Sequence, residues 1–186
     1  ENLITYIGNK SYYKDGVEIL VKSFIMIANL YPDWNLMIIG DSGNNNMIEQ
    51  LAINARLEER IILMGNVHRD KVPELLCRSK ILALARPNNL QAEGGFPTKL
   101  GEYLLSEKPA IFTRVGENDK YVIENKHVFF VEPENMIEYA NKMRYILQNY
   151  SSSVVIAKQG RQYVEDNYSY IIVGKELYNF LKSLKI

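Results

Sequence analysis

Cysteine is nearly absent from this chain: Cys77 stands alone among 186 residues, so no internal disulfide can form. Histidine is scarce as well, and neither His68 nor His127 joins a cluster with zinc-ligand spacing. A reducing compartment is the expectation. Net charge is also missing, since 22 basic side chains balance 22 acidic ones. That removes the sequence-wide electrostatic footprint of a dedicated nucleic-acid binder, so any bound anion must be held by a local site. Long apolar runs are lacking too. Stretches such as Leu36 to Ile39 and Ile81 to Ala85 fall far short of the ~20 residues a spanning helix needs. No basic, apolar, small-residue leader opens the chain, and a cytoplasmic location is expected. The chain starts at Glu1 and is already in an apolar run at residue 3, which we read as a piece of something longer.

What is present is ordinary for a globular protein: 47% hydrophobic and 24% charged residues, without low-complexity segments or internal repeats. A chain of this length buries about 70% of its unfolded surface and needs no metal or disulfide to hold it together.

Short apolar runs alternate with helical patterns. Leu3 to Ile7, Leu36 to Ile39, Ile61 to Met64, Ile81 to Leu84, Ala110 to Phe112 and Val128 to Val131 read as six strands. None alternates with polar residues, which is how strands read when helices cover both faces of a parallel sheet. Between them, Val17, Leu20, Val21, Phe24, Ile27, Ala28 and Tyr31 mark one face of a helix stopped by Pro32. Further helices are expected over 47–56, 72–79, 97–106, 136–148, 154–167 and 172–182. The pattern predicts one doubly wound α/β domain over residues 1–186, with a Rossmann-like parallel sheet of about six strands. Ligands of such sheets sit at the carboxyl ends of the strands, where the loops here begin at Gly8, Gly40, Gly65 and Ala85.

The stretch from Gln91 to Tyr103 carries the most chemistry. Two glycines, Gly94 and Gly95, lead to Pro97 at a helix start, and Leu100, Tyr103 and Leu104 face inward. Thr98, Lys99 and Glu102 fall on the other side. Open amides at a helix start favour phosphate. Glu102 lies about 9 Å further along the axis than Phe96, and its carboxylate can accept from two adjacent hydroxyls. On spacing alone, a solvated helix with a weak Lys99–Glu102 surface pair is the simpler account.

In its order of residues this stretch resembles the nucleotide-sugar signature of the group 1 glycosyltransferases, retaining enzymes of family 4 with the GT-B fold. Phe96-Pro97-Thr98-Lys99-Leu100, then Glu102-Tyr103-Leu104, is similar to a common variant of that signature, and Lys108 to Ile111 resembles its next strand entry. Gly8 and Lys14-Asp15-Gly16-Val17 look like the family's first-strand loop. Residues 35–40, 62–67, 134–147 and 160–181 resemble later segments in the proper order. The likeness covers nearly the whole chain but only the carboxyl-terminal half of such an enzyme.

The resemblance implies a donor-binding domain whose intact enzyme moves a sugar, most simply from a UDP-sugar, to a saccharide or lipid-linked acceptor. Hexosyl transfer in bacterial polysaccharide biosynthesis, without a metal or cofactor, is the expectation; the nucleotide-sugar is substrate. Glu102 would bind the ribose hydroxyls and Lys14 would neutralise the diphosphate. Gly95, Phe96 and Thr98 would offer backbone amides to phosphates or sugar, with Lys99 and Leu100 in the same segment. Asn66, Val67 and His68 would border the base, and Gly8 would open the diphosphate loop. Asn9 stands where the family has an arginine, so one diphosphate cation is missing unless Lys10 or Lys99 supplies it. Gly94 stands where its first glutamate falls, and Glu93 comes one residue early. The acceptor-binding half, with any membrane contact at the inner membrane, would lie outside this chain, and the domain alone would transfer nothing.

Two other classes stay open: half of a sugar-nucleotide epimerase with the same architecture, or a non-enzymatic regulatory α/β domain. A Rossmann dehydrogenase is disfavoured, because no Gly-x-Gly-x-x-Gly follows the first strand. No Asp-x-Asp metal pair occurs. Cys77 is expected to be inert packing and His127 structural. The apolar set Ile171, Ile172, Leu177, Phe180, Leu181 and Leu184 is expected on the core, or in part against the absent half.

Overall fold

The computed structural model describes residues 1–8, 15–40, 45–95 and 98–184. Six strands, β1 (Leu3–Ile7), β2 (Asn35–Ile39), β3 (Ile61–Met64), β4 (Ile81–Leu84), β5 (Ala110–Thr113) and β6 (Phe129–Val131), form one sheet. Every pairing is parallel, and the order is β3-β2-β1-β4-β5-β6. The chain therefore builds outward from β1 in one direction, then returns to place β4 on the other side of β1, with Ile4 opposite Ile81. The continuous apolar runs follow from this layering. β2, β4, β5 and β6 are buried almost throughout, because helices cover both faces.

The intervening helices are α1 (Val17–Ala28), α2 (Asn45–Ala55), α3 (Val72–Arg78), α4 (Leu90–Glu93), α5 (Thr98–Leu105) and α6 (Asn118–Tyr121). Three longer ones close the chain: α7 (Met136–Gln148), α8 (Tyr150–Tyr168) and α9 (Tyr170–Ser183). α7 packs on α1 and α8 on α5. The main core includes Tyr6, Phe24, Tyr103, Phe112, Phe129, Phe130 and Tyr139 as its largest fully buried side chains, and Leu3, Met37, Ile39 and Leu75 form a smaller second cluster.

Four helices differ from the periodicity reading. α1 ends at Ala28 and not at Tyr31: Pro32 has no N–H for the Ala28 carbonyl, and the Arg60 guanidinium takes the carbonyls of Ala28 (3.0 Å), Tyr31 (2.7 Å) and Trp34 (2.6 Å). Those bonds satisfy carbonyls at and beyond the helix end that another turn would have used. α4 and α6, of four residues each, are too short to show a period; Asn89 caps α4 by accepting from the Ala92 amide at 2.9 Å. The apolar face of α9 does not reach the core: none of its residues is buried, and Phe180 keeps 60% of its surface exposed. α8 is its main neighbour. Cys77 also departs from expectation, since it is exposed on α3.

Candidate functional site

The order β3-β2-β1-β4 sends the chain away from β1 in opposite directions on its two sides. A crevice follows at the carboxyl ends of β1 and β4. Into this crevice come Gly8 from the end of β1, Arg86 just past β4, and Lys99 from the first turn of α5.

The centre of the arrangement is Asp15, whose side chain is 0% exposed. Its Oδ2 accepts from the Tyr6 hydroxyl at 2.5 Å and from Lys99 Nζ at 2.8 Å, and its Oδ1 faces Arg86 Nη2 at 3.5 Å. Burial, and then the neighbouring Asp15 charge, hold the Tyr6 phenol far above the ordinary tyrosine range, so it stays a donor. The turn carrying Asp15 is fixed by Gly16, at φ 61°. A Cβ there would meet the Ala85 carbonyl oxygen at 1.9 Å, which ties the turn to the end of β4. Lys99 passes directly over Gly8, where a Cβ would come within 2.6 Å of its Cε. One residue face lower on α5, the buried Tyr103 hydroxyl accepts from the Ile7 amide at 3.1 Å and fastens the helix to β1.

The structure thus corrects the reading of Lys99 as a solvated partner of Glu102. Lys99 turns the other way, to a carboxylate 84 positions earlier in the chain. Beside it, a cavity of about 260 Å³ is lined by Ile7, Gly8, Ile39, Gly40, Asn66, Val67 and Val72. This brings Gly8, Asn66 and Val67 together at the strand ends, as the loops at that edge require. His68 is exposed and sits 3.3 Å from Asp70. Thr98, Leu100 and Glu102 line a separate cavity of about 340 Å³, with Tyr121, Tyr168 and Val173 on its far side. Glu102 is exposed and carries no hydrogen-bond partner among the described residues. Gly95 lies beside Arg86, with 3.5 Å between Nη1 and the place a Cβ would take. Asn9, Lys10, Lys14, Phe96 and Pro97 fall outside the described residues. His127 is a structural residue: it is buried, its Nδ1 accepts from the Ile123 amide at 3.2 Å, and its ring stacks on Tyr163.

Sequence reasoning gave Asp15 no role and passed over Arg86. The available signal was an arginine set immediately after the apolar run Ile81 to Ala85, at a strand end that faces the crevice. Among the described residues, no group of three or more His, Cys, Asp or Glu side chains is placed to hold a metal ion. No helix among them is long and apolar enough to cross a membrane.

Comparison with known proteins follows the same lines. The family model described as "Glycosyl transferases group 1" matches residues 1–163. The phosphatidylinositol N-acetylglucosaminyltransferase gpi3 subunit of Schizosaccharomyces pombe is 24% identical over 167 residues, which is 90% of this chain and 35% of that protein. The N-acetyl-alpha-D-glucosaminyl L-malate synthase of Bacillus anthracis is 31% identical over 116 residues, 62% of this chain and 28% of that protein. The chain therefore spans about a third of the length of these curated relatives. Among solved structures, Anabaena HepE in complex with UDP-glucose superposes with a TM-score of 0.84 at 18% identity, over 98% of this chain and 49% of its own. The C-terminal domain of LpcC, a group 1 family protein from Francisella tularensis, gives 0.81 at 22% identity, over 90% of this chain and 86% of its own.

Proposed function

The chain belongs to the group 1 glycosyl transferases, and on that footing we propose that it is the donor-binding half of a retaining, two-domain hexosyltransferase. The donor is a nucleotide-sugar, with UDP as its nucleotide. The acceptor is a saccharide or a lipid-linked sugar, held by an amino-terminal half that this chain does not contain.

The observation that carries this reading is the crevice beside β1. A cavity lined by Gly8, Gly40, Asn66 and the apolar Ile7, Ile39, Val67 and Val72 adjoins a lysine fixed over Gly8. The two glycines let a flat base approach closely, and the cation stands where a diphosphate attached to that nucleoside would lie. Glu102, one turn along α5 from Lys99, has a carboxylate without a protein partner among the described residues, suited to the ribose diol. The backbone around Gly95 and Thr98 meets the phosphates. Lys14 adds the charge that the resemblance assigns to it.

The chemistry asked of these residues is modest. As the bond from the anomeric carbon to the diphosphate breaks, negative charge grows on the leaving oxygens, and fixed cations lower that barrier. Side chains supply this charge in the reading offered here, with no metal in the step. The domain by itself binds the nucleotide weakly and transfers nothing, because the acceptor and the groups that activate it lie in the other half.

Calorimetric titration of UDP, UMP and uridine into wild type, Glu102→Ala and Lys14→Ala tests the reading. Glu102→Ala should weaken all three ligands, and Lys14→Ala should weaken chiefly UDP. Titrations without heat for any nucleotide would instead favour a regulatory α/β domain.

A further inference from the structure

We infer that Arg86 is a further donor-phosphate cation of this site, beside Lys99 and Lys14, and that Asp15 is the positioning residue that sets both Arg86 and Lys99 for it. The inference rests on the donor-site reading above and names the side chains that complete it.

Lys99 and Arg86 are 18% and 15% exposed, and each is paired with the same fully buried carboxylate. Among the described residues Asp15 is the only acidic side chain within ion-pair distance of either. Two cations against one anion leave a positive charge uncompensated in a largely dry place. A protein interior resists that arrangement unless a further anion joins it. A second observation concerns Arg86 alone: its Nε is buried and has no hydrogen-bond partner among the described residues. Buried guanidinium donors are nearly always satisfied, so this N–H has capacity left for an added acceptor.

The placement says what that is. The Arg86 carbonyl accepts from Thr113 Oγ1 at 2.6 Å, which fixes the backbone of the residue between β4 and β5. The guanidinium then lies against Gly95, close to the start of α5, while Lys99 Nζ lies over Gly8. Cations from two separate parts of the chain thus converge on the β1–β4 crevice, beside the cavity assigned to the nucleoside. A pyrophosphate group matches both the surplus charge and the leftover donor. Asn9 cannot supply a cation from the first-strand loop, and Arg86 provides one from the other wall.

The test is titration of UDP and uridine into wild type, Arg86→Gln, Lys99→Met and Asp15→Asn, with thermal melting of each. Arg86→Gln and Lys99→Met should each weaken UDP about tenfold or more, as loss of a charge-assisted bond implies, and leave uridine within about twofold. Asp15→Asn separates two roles. A mere counter-charge, once removed, would strengthen UDP binding, whereas loss of a positioning residue weakens it several-fold with uridine unchanged. Should Asp15→Asn not fold, Asp15→Glu, with the same charge displaced by one methylene, must show the selective loss. Wild-type UDP affinity in Arg86→Gln, equal losses for UDP and uridine, tighter UDP binding in Asp15→Asn, or unaltered binding in Asp15→Glu would each overturn the inference while the donor reading stands. A wild-type chain that binds no nucleoside diphosphate would overturn the donor reading itself, and the inference with it.

Discussion

Helices α5 and α9 carry similar amphipathic patterns and meet opposite fates. In α5 the apolar residues Leu100, Tyr103 and Leu104 are buried against the sheet, and its lysine is drawn into a buried ion pair. In α9 the apolar residues Ile171, Leu177, Phe180 and Leu181 stay half or more exposed. The difference lies in what each helix has to pack on. α5 packs on α8 and is also tied through Tyr103 to the end of β1, whereas α9 has α8 as its main neighbour. A period of 3.6 reports that a helix has an apolar side; it does not report the surface that side will meet.

The comparison can be broken most directly by truncation. Tyr103→Ala removes a fully buried ring and strands the Ile7 amide, so it should cost about 3–5 kcal/mol in urea unfolding. Leu177→Ala, on the exposed helix, should stay within about 0.5 kcal/mol. Equal losses would mean that α9 is packed as firmly as α5. Next in size is Gly16→Ala, which forces a side chain into the left-handed region and against the Ala85 carbonyl. The backbone alone accounts for about 1–3 kcal/mol, visible as a lower midpoint in the same unfolding curves. Glu102→Ala sharpens the contrast within α5 itself. Its carboxylate is exposed, so thermal stability should hold while UDP affinity falls about tenfold.

The smallest effect is a pH dependence at His127, packed on α8 through Tyr163. Burial, and then the Lys126 charge, lower its pKa from 6.5. The unfolded chain therefore binds the proton more readily than the folded one. The stability this histidine contributes is complete above pH 6.5 and is lost as pH falls through the lowered folded value. Protonation would also cancel the bond from the Ile123 amide to Nδ1. His127→Gln should flatten this part of a stability profile measured between pH 7 and pH 5.

The sheet was readable because each strand is a continuous apolar run ending in a small residue or a turn, and all six appear where those runs lie. Their order was not readable, since nothing local in Ile81 to Leu84 says that it pairs with β1. The site divides in the same way. Gly8 could be named from its place after a strand, which local pattern reveals, and Asn66 and Val67 from the family resemblance of the segment that holds them. The Asp15 cluster could not, because its members are far apart in the chain and only the return of β4 to the side of β1 joins them. Cys77 and the face of α9 were misjudged for a related reason: an apolar neighbourhood in sequence is not burial in space.

The hydroxyl of Thr113, held to the Arg86 carbonyl, makes the guanidinium depend on β5, three elements further along. Neither wall of the crevice can then be completed early during folding. β1, β4, α5 and β5 must all have docked before the cluster exists, and such distant pairings form slowly. If the donor-site proposal holds, nucleotide affinity should recover during refolding only when those four pieces have assembled, which would make it a clock for the last stage of that process.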